Sequence, residues 1–178
     1  MSGVKVLAVT LFIVGQATSQ DASKMFPYPV PQEGPSSPKM QAQCKFSDGK
    51  TITVDYSTRH VKVRKGYPPP YGDIWQTVFD DIMFVTDESL ITVKEVIPAG
   101  DYTIVATPDY ATLLLKKSTG GESRVPMSVR RLVSPAENSA ILFEHTGGSC
   151  MMRVNWKNSN TQLSVEFTEK NADLPVEN

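Results

Sequence analysis

Cys44 and Cys150, His60 and His145, and the carboxylates Asp73, Asp80, Asp81 and Glu88 are the side chains of this sequence with most scope for chemistry. Two histidines make a metal site only if carboxylates complete it, and no histidine pair stands four residues apart, so no metal is expected. Cys150 follows Gly147, Gly148 and Ser149, which resembles a nucleophile on a glycine turn. Yet Cys150, Met152, Val154 and Trp156 alternate with more polar neighbours, as the inward face of a strand does. No Gly-x-Ser-x-Gly elbow frames a serine, and no glycine-rich loop offers to cradle phosphate. Asp80 and Asp81 are adjacent, so they point apart on a strand and diverge by about 100° on a helix. They cannot flank one bond as paired glycosidase carboxylates do. With no catalytic motif, the chain is expected to be non-catalytic and to need no cofactor. The alternatives are an envelope hydrolase that brings two of Asp73, Asp80 and Glu88 together in a cleft, or a purely structural module without a ligand.

Binding chemistry concentrates in one stretch. Residues 57–65, STRHVKVRK, alternate Val61 and Val63 with His60, Lys62 and Arg64. That pattern suits either an anion-facing strip or an edge strand whose charges discourage pairing with other chains. Residues 66–72, GYPPPYG, must be a loop, because three prolines forbid helix and ladder alike. Tyr67, Tyr71 and Trp75 lie around it, positioned either to stack a flat ligand such as a sugar or to cap the end of a sandwich. Arginine and aromatic side chains anchor binding hot spots, which makes Arg59, Arg64, Tyr71 and Trp75 the ligand-binding candidates, for a small ligand or an envelope partner.

The elements that must position these residues read as strands. Ala42, Cys44 and Phe46 alternate, then Ile52, Val54 and Tyr56, with Ser47, Asp48 and Gly49 between them as a hairpin turn. Residues 73–82 fit a short helical turn leading into a strand. Residues 91–117 supply further strands, in which Leu113, Leu114 and Leu115 run consecutively and therefore need cover on both faces of a sheet. Val125, Met127 and Val129 share one side of a strand over residues 124–129, and strands over 140–144, 149–156 and 162–167 close the domain. The expected fold is all-β, an antiparallel β-sandwich of jelly-roll-like form with at most one short helical turn, spanning residues 40–169.

The N-terminus reads as an export signal over residues 1–19: Lys5, an apolar run, then Ala17, Thr18 and Ser19. The run is too short to cross a bilayer, which takes about 20 residues, so no membrane span is expected once it is removed. Residues 20–39, with Pro27, Pro29, Pro31, Pro35 and Pro38, read as a flexible linker, and residues 170–178 as a frayed tail. The formal net charge of -1 gives no nucleic-acid footprint. Export to the periplasm or beyond would carry Cys44 and Cys150 into an oxidising compartment. Both then face inward on strands, either as a disulfide or as two buried thiols.

Several motifs together resemble a family of exported bacterial proteins known only as a domain of unknown function, number twenty-nine eleven. They are Asp55-Tyr56-Ser57, Arg59 and Arg64, Pro70-Tyr71-Gly72 with Trp75, Pro98-Ala99-Gly100 with Tyr102, Arg124-Val125 with Met127, and Pro135 with Glu137 and Asn138. Gly147, Gly148 and Cys150, then Trp156 and Asn158, complete the series. The chain departs from the family pattern at His60 and Val63, at Gln76 through Val78, Phe79, Asp80 and Asp81, and near Gly120. The resemblance implies a divergent member: an all-β, sandwich-like exported protein with no established substrate.

Overall fold

A computed structural model of the protein describes residues 30–31, 36–59, 61–62, 75, 78–105 and 111–170. The expected export signal, residues 171–178 of the expected tail, Arg64, Tyr71 and Asp73 lie outside them. Among the described residues the first strand is β1 (Val30–Pro31), and β2 (Met40–Lys45) then turns into β3 (Thr51–Thr58). Ser47, Asp48 and Gly49 make the reversal, with Gly49 at φ 92°, a left-handed conformation that glycine adopts without a Cβ penalty. Ile52, Val54 and Tyr56 point inward, while Thr51, Thr53 and Asp55 face outward. β4 (Val61–Lys62) pairs back to β1, and β5 (Phe79–Thr86) pairs with β3. The chain then leaves this sheet for β6 (Leu90–Ile91) and β7 (Val96–Ile97). It returns as β8 (Gly100–Val105), β9 (Thr112–Lys117) and β10 (Glu122–Pro126). The result is a six-stranded antiparallel sheet in the order β10-β9-β8-β5-β3-β2.

The second sheet is built from β11 (Ser128–Arg131), β12 (Ala140–Thr146), β13 (Ser149–Asn155) and β14 (Thr161–Glu169). Its order is β12-β13-β14-β6-β7, with β11 also on β14. The fold is therefore an all-β antiparallel sandwich, as the alternation predicts. Its connectivity is that of meanders, not the paired Greek keys of a jelly roll. Phe84, Tyr102 and Leu115 from the first sheet meet Met152, Val154 and Phe167 from the second in one core. Leu113, Leu114 and Leu115 are all buried, which is the two-sided cover that three successive leucines on a strand demand.

Three local features do not follow from the alternation alone, each for a physical reason. The strand expected over residues 124–129 is two strands. Pro126, which has no N–H to extend a ladder, ends β10, and Met127 carries the chain across to the other sheet. Val125 and Met127 stay buried, whereas Val129 lands outside at 50% exposure. The proline-rich arm is docked where it is described, since Val30–Pro31 pairs with Val61–Lys62 and the Ser37 N–H donates to the Thr58 carbonyl at 2.8 Å. A proline removes only its own donor, and its neighbours still pair.

The third is a bulge. Asp55 pairs with Met83 but Ser57 pairs with Asp80, so Asp81 and Ile82 together face Tyr56. Asp81 takes the extra residue's left-handed conformation, φ 50°. Asp tolerates that region and a β-branched residue does not. Asp81→Val should therefore cost about 1–2 kcal/mol in urea unfolding, with Asp81→Gly equal to or slightly more stable than the wild type.

The two sheets are fastened at both margins. Met127 joins them on one side. On the other, β2 runs beside β12, and Cys44 of β2 is bonded to Cys150 of β13 across a sequence separation of 106 residues. The Tyr56 hydroxyl reaches the same margin, donating to the Ile141 carbonyl at 3.3 Å and accepting from the Ile141 N–H at 3.1 Å. Bridges of this kind persist in oxidising compartments outside the cytosol. Among the described residues no helix is long and apolar enough to cross a membrane.

Candidate functional site

Two of the four candidate ligand residues, Arg59 and Trp75, are described, and they line the same cavity. Arg59 directly follows β3, held by its N–H bond to the Val78 carbonyl at 2.9 Å, where β3 and β5 begin their pairing. Its guanidinium is 2.8 Å from Asp80 Oδ1, and the Ser36 hydroxyl donates to Asp80 Oδ2 at 2.9 Å. The Arg59 guanidinium, and next the Ser36 hydroxyl, hold the Asp80 carboxyl below the usual carboxylate range. A carboxyl held ionised in this way is no proton donor near neutral pH.

Trp75 is 2% exposed and packs on Phe79 with ring centroids 6.0 Å apart. Phe79 in turn meets Tyr56 edge-on at 5.7 Å. The indole is thus a wall of the core and not a bare stacking platform. Its Nε1 is nevertheless a buried donor without a hydrogen-bond partner. The cavity that Trp75 shares with Arg59, Asp80, Asp81 and Thr103 holds about 190 Å³. The bulge at Asp81 and Ile82 forms part of its lining and sets the direction of Asp80 beside it. The arrangement offers a guanidinium and a carboxylate to a small polar molecule, with the unmet indole N–H buried in the Trp75 wall.

Of the other candidate carboxylates that are described, Asp81 lines this cavity and Glu88 does not. Asp80 lies near the start of β5 and Glu88 just beyond its end, about 20 Å of strand apart at 3.4 Å per residue, so they share no cleft. Asp81 is exposed on the bulge. His145 lies exposed on β12, and His60 is outside the described residues. Glu88 belongs instead to a second polar cluster at the far end of β5. Burial pushes its carboxyl up, partly offset by the Lys50 ammonium 3.2 Å away.

Sequence reasoning missed two features. The sequence offers Asp80 as a hydrolase carboxylate and not as a partner of Arg59, because that pairing, 21 residues apart, depends on the register between β3 and β5. A larger cleft of about 250 Å³ opens along β14 between its contacts with β6 and β11, lined by Lys94, Met127, Ser128, Val165 and Glu166 among others. No local sequence signal marks it, because four separate stretches meet there. No family model, curated protein or solved structure matches the chain.

Proposed function

We propose that this protein is an exported, non-catalytic β-sandwich that binds a small polar ligand, or a polar group of an envelope partner, in the cavity beside Arg59. The export signal read from residues 1–19 and the Cys44–Cys150 bridge support export to the periplasm or beyond. The resemblance to the exported bacterial family, carried by the order and spacing of its motifs, supports a divergent member with no inherited activity. The observation that carries the binding reading is the meeting of Arg59, Asp80 and Trp75 at one cavity with a buried indole N–H left unmet. A buried donor without a partner costs about 1–3 kcal/mol, which a ligand acceptor would offset.

A screen of glycans, small carboxylates and envelope extracts, read by calorimetry, tests this reading. Arg59→Ala and Trp75→Phe should each weaken binding by about tenfold or more, the scale of one hot-spot contact. Phenylalanine keeps a ring against Phe79 but leaves a small void as well as removing the N–H, so its binding is compared once thermal unfolding shows the variant folded. A wild type that binds nothing in the screen, or variants that bind as well as it does, would discard the site.

A further inference from the structure

Three carboxylates from distant parts of the chain meet at the opposite end of β5 from Asp80. Asp48 sits in the turn between β2 and β3, Glu88 follows β5, and Glu169 ends β14. One oxygen from each lies within 4.8 Å of an oxygen from the other two. Backbone donors orient the Glu169 and Asp48 carboxylates, and the Thr86 hydroxyl holds the main chain at Glu88. The Ser47 N–H donates to Glu169 Oε1 at 3.1 Å, the Lys50 N–H donates to Asp48 Oδ1 at 2.9 Å, and the Thr86 hydroxyl donates to the Glu88 carbonyl at 2.7 Å.

The charges here do not balance. Lys50 Nζ is 2.9 Å from Asp48 Oδ2 and 3.2 Å from Glu88 Oε2, and it is the only ammonium paired with these three carboxylates among the described residues. Glu88 is 7% exposed, and its Oε1 has no hydrogen-bond partner, although its carboxylate faces the other two. An ionised carboxylate buried with one oxygen unmet is costly unless a cation or donor reaches it. Lys50 is 44% exposed, so its head can move into water while its stem stays on the surface.

We propose that Asp48, Glu88 and Glu169 form a calcium site, in which the Lys50 ammonium holds the cation position and yields it to the ion. An all-oxygen set of hard ligands selects calcium, magnesium or manganese over the softer metals. Two ligands of one calcium ion, each at 2.3–2.6 Å, stand at most about 5 Å apart, a span within which the three oxygens already lie. Magnesium, at about 2.0–2.1 Å with strict octahedral geometry, requires a tighter and more regular cage than three separate segments supply. Three protein carboxylates, with water completing the shell, suit the weak sites of extracellular modules, with Kd of about 10⁻⁴–10⁻³ M.

The test is calcium titration of the signal-free protein, followed by calorimetry and thermal unfolding, with potassium chloride matching ionic strength and magnesium chloride in parallel. Wild type should gain thermal stability with calcium, saturating in the millimolar range, as any ligand of the native state requires. Glu169→Gln should abolish the gain. Lys50→Met removes the competing ammonium and should tighten calcium binding by about threefold or more, whereas a cluster needing only its lysine would lose stability with no rescue. The idea falls if about 10 mM calcium does no more than potassium chloride. It falls equally if magnesium serves as well, if Glu169→Gln binds like wild type, or if Lys50→Met does not bind more tightly. Should Glu169→Gln fail to fold, the gain in Lys50→Met still decides.

Discussion

Replacing Cys44 and Cys150 together with alanine should lower the free energy of unfolding by about 3–5 kcal/mol. The bridge closes a loop with a sequence separation of 106 residues, and the chain-entropy treatment gives about 4.7 kcal/mol for a loop of roughly 100 residues. Both side chains are buried, so alanine also leaves a small void where two sulfurs had packed. Domains of this size are stable by about 5–15 kcal/mol, so the loss is a large share of the whole. The double variant is the right comparison, since a single one leaves a reactive thiol in the core. Urea unfolding of oxidised, reduced and double-alanine protein checks it. The reduced and alanine forms should fall together, with steeper denaturant dependence than the oxidised form because their unfolded chains expand further. A loss below about 1 kcal/mol would show that the margin between β2 and β13 holds without the bridge.

How far the sequence discloses this fold depends on how local each signal is. The β2–β3 hairpin is legible because Ser47, Asp48 and Gly49 lie between two runs of period two, and that period survives folding unchanged. The leucine triplet is legible for the same reason: its burial follows from the pleat alone. Inward cysteines on two strands are legible, and their pairing adds only that β2 and β13 share a margin.

What stays hidden is whatever depends on which strand lies beside which. The excursion through β6 and β7 and the split at Pro126 belong to sheet assignment, which alternation does not encode. The bulge at Asp81 shows no glycine in the sequence, because aspartate tolerates the left-handed region nearly as well there. The candidate sites are hidden most deeply. Arg59 meets Asp80 across a strand pair, and Ser47 meets Glu169 across 122 residues, so neither constellation has a spacing to recognise. Arg64 and Tyr71, named from composition beside a proline loop, lie outside the described residues and add nothing to the geometry.

Tyr56→Phe should cost about 2–4 kcal/mol, an unusually large effect for the loss of one oxygen atom. β12 is an edge strand: β13 pairs with one side of it, and the other side is turned toward β2. At Ile141, itself buried, the backbone groups bonded on that open side reach no neighbouring strand. The Tyr56 hydroxyl satisfies both, accepting from the N–H at 3.1 Å and donating to the carbonyl at 3.3 Å. Removing it strands a donor and an acceptor in the core, each costing about 1–3 kcal/mol, while the ring keeps its packing on Phe79. Tyr102→Phe is the internal control. Its hydroxyl donates to the Pro98 carbonyl at 2.6 Å, but Pro98 is exposed, so water replaces the bond at a cost of about 1 kcal/mol or less. Hydrogen exchange gives a second reading, because the Ile141 amide should be protected in wild type and exchange far faster in Tyr56→Phe, with the amides of β3 little changed. Equal costs for the two tyrosines, or an Ile141 amide as slow in the variant as in wild type, would mean that the β2–β12 margin is closed by packing and the disulfide alone.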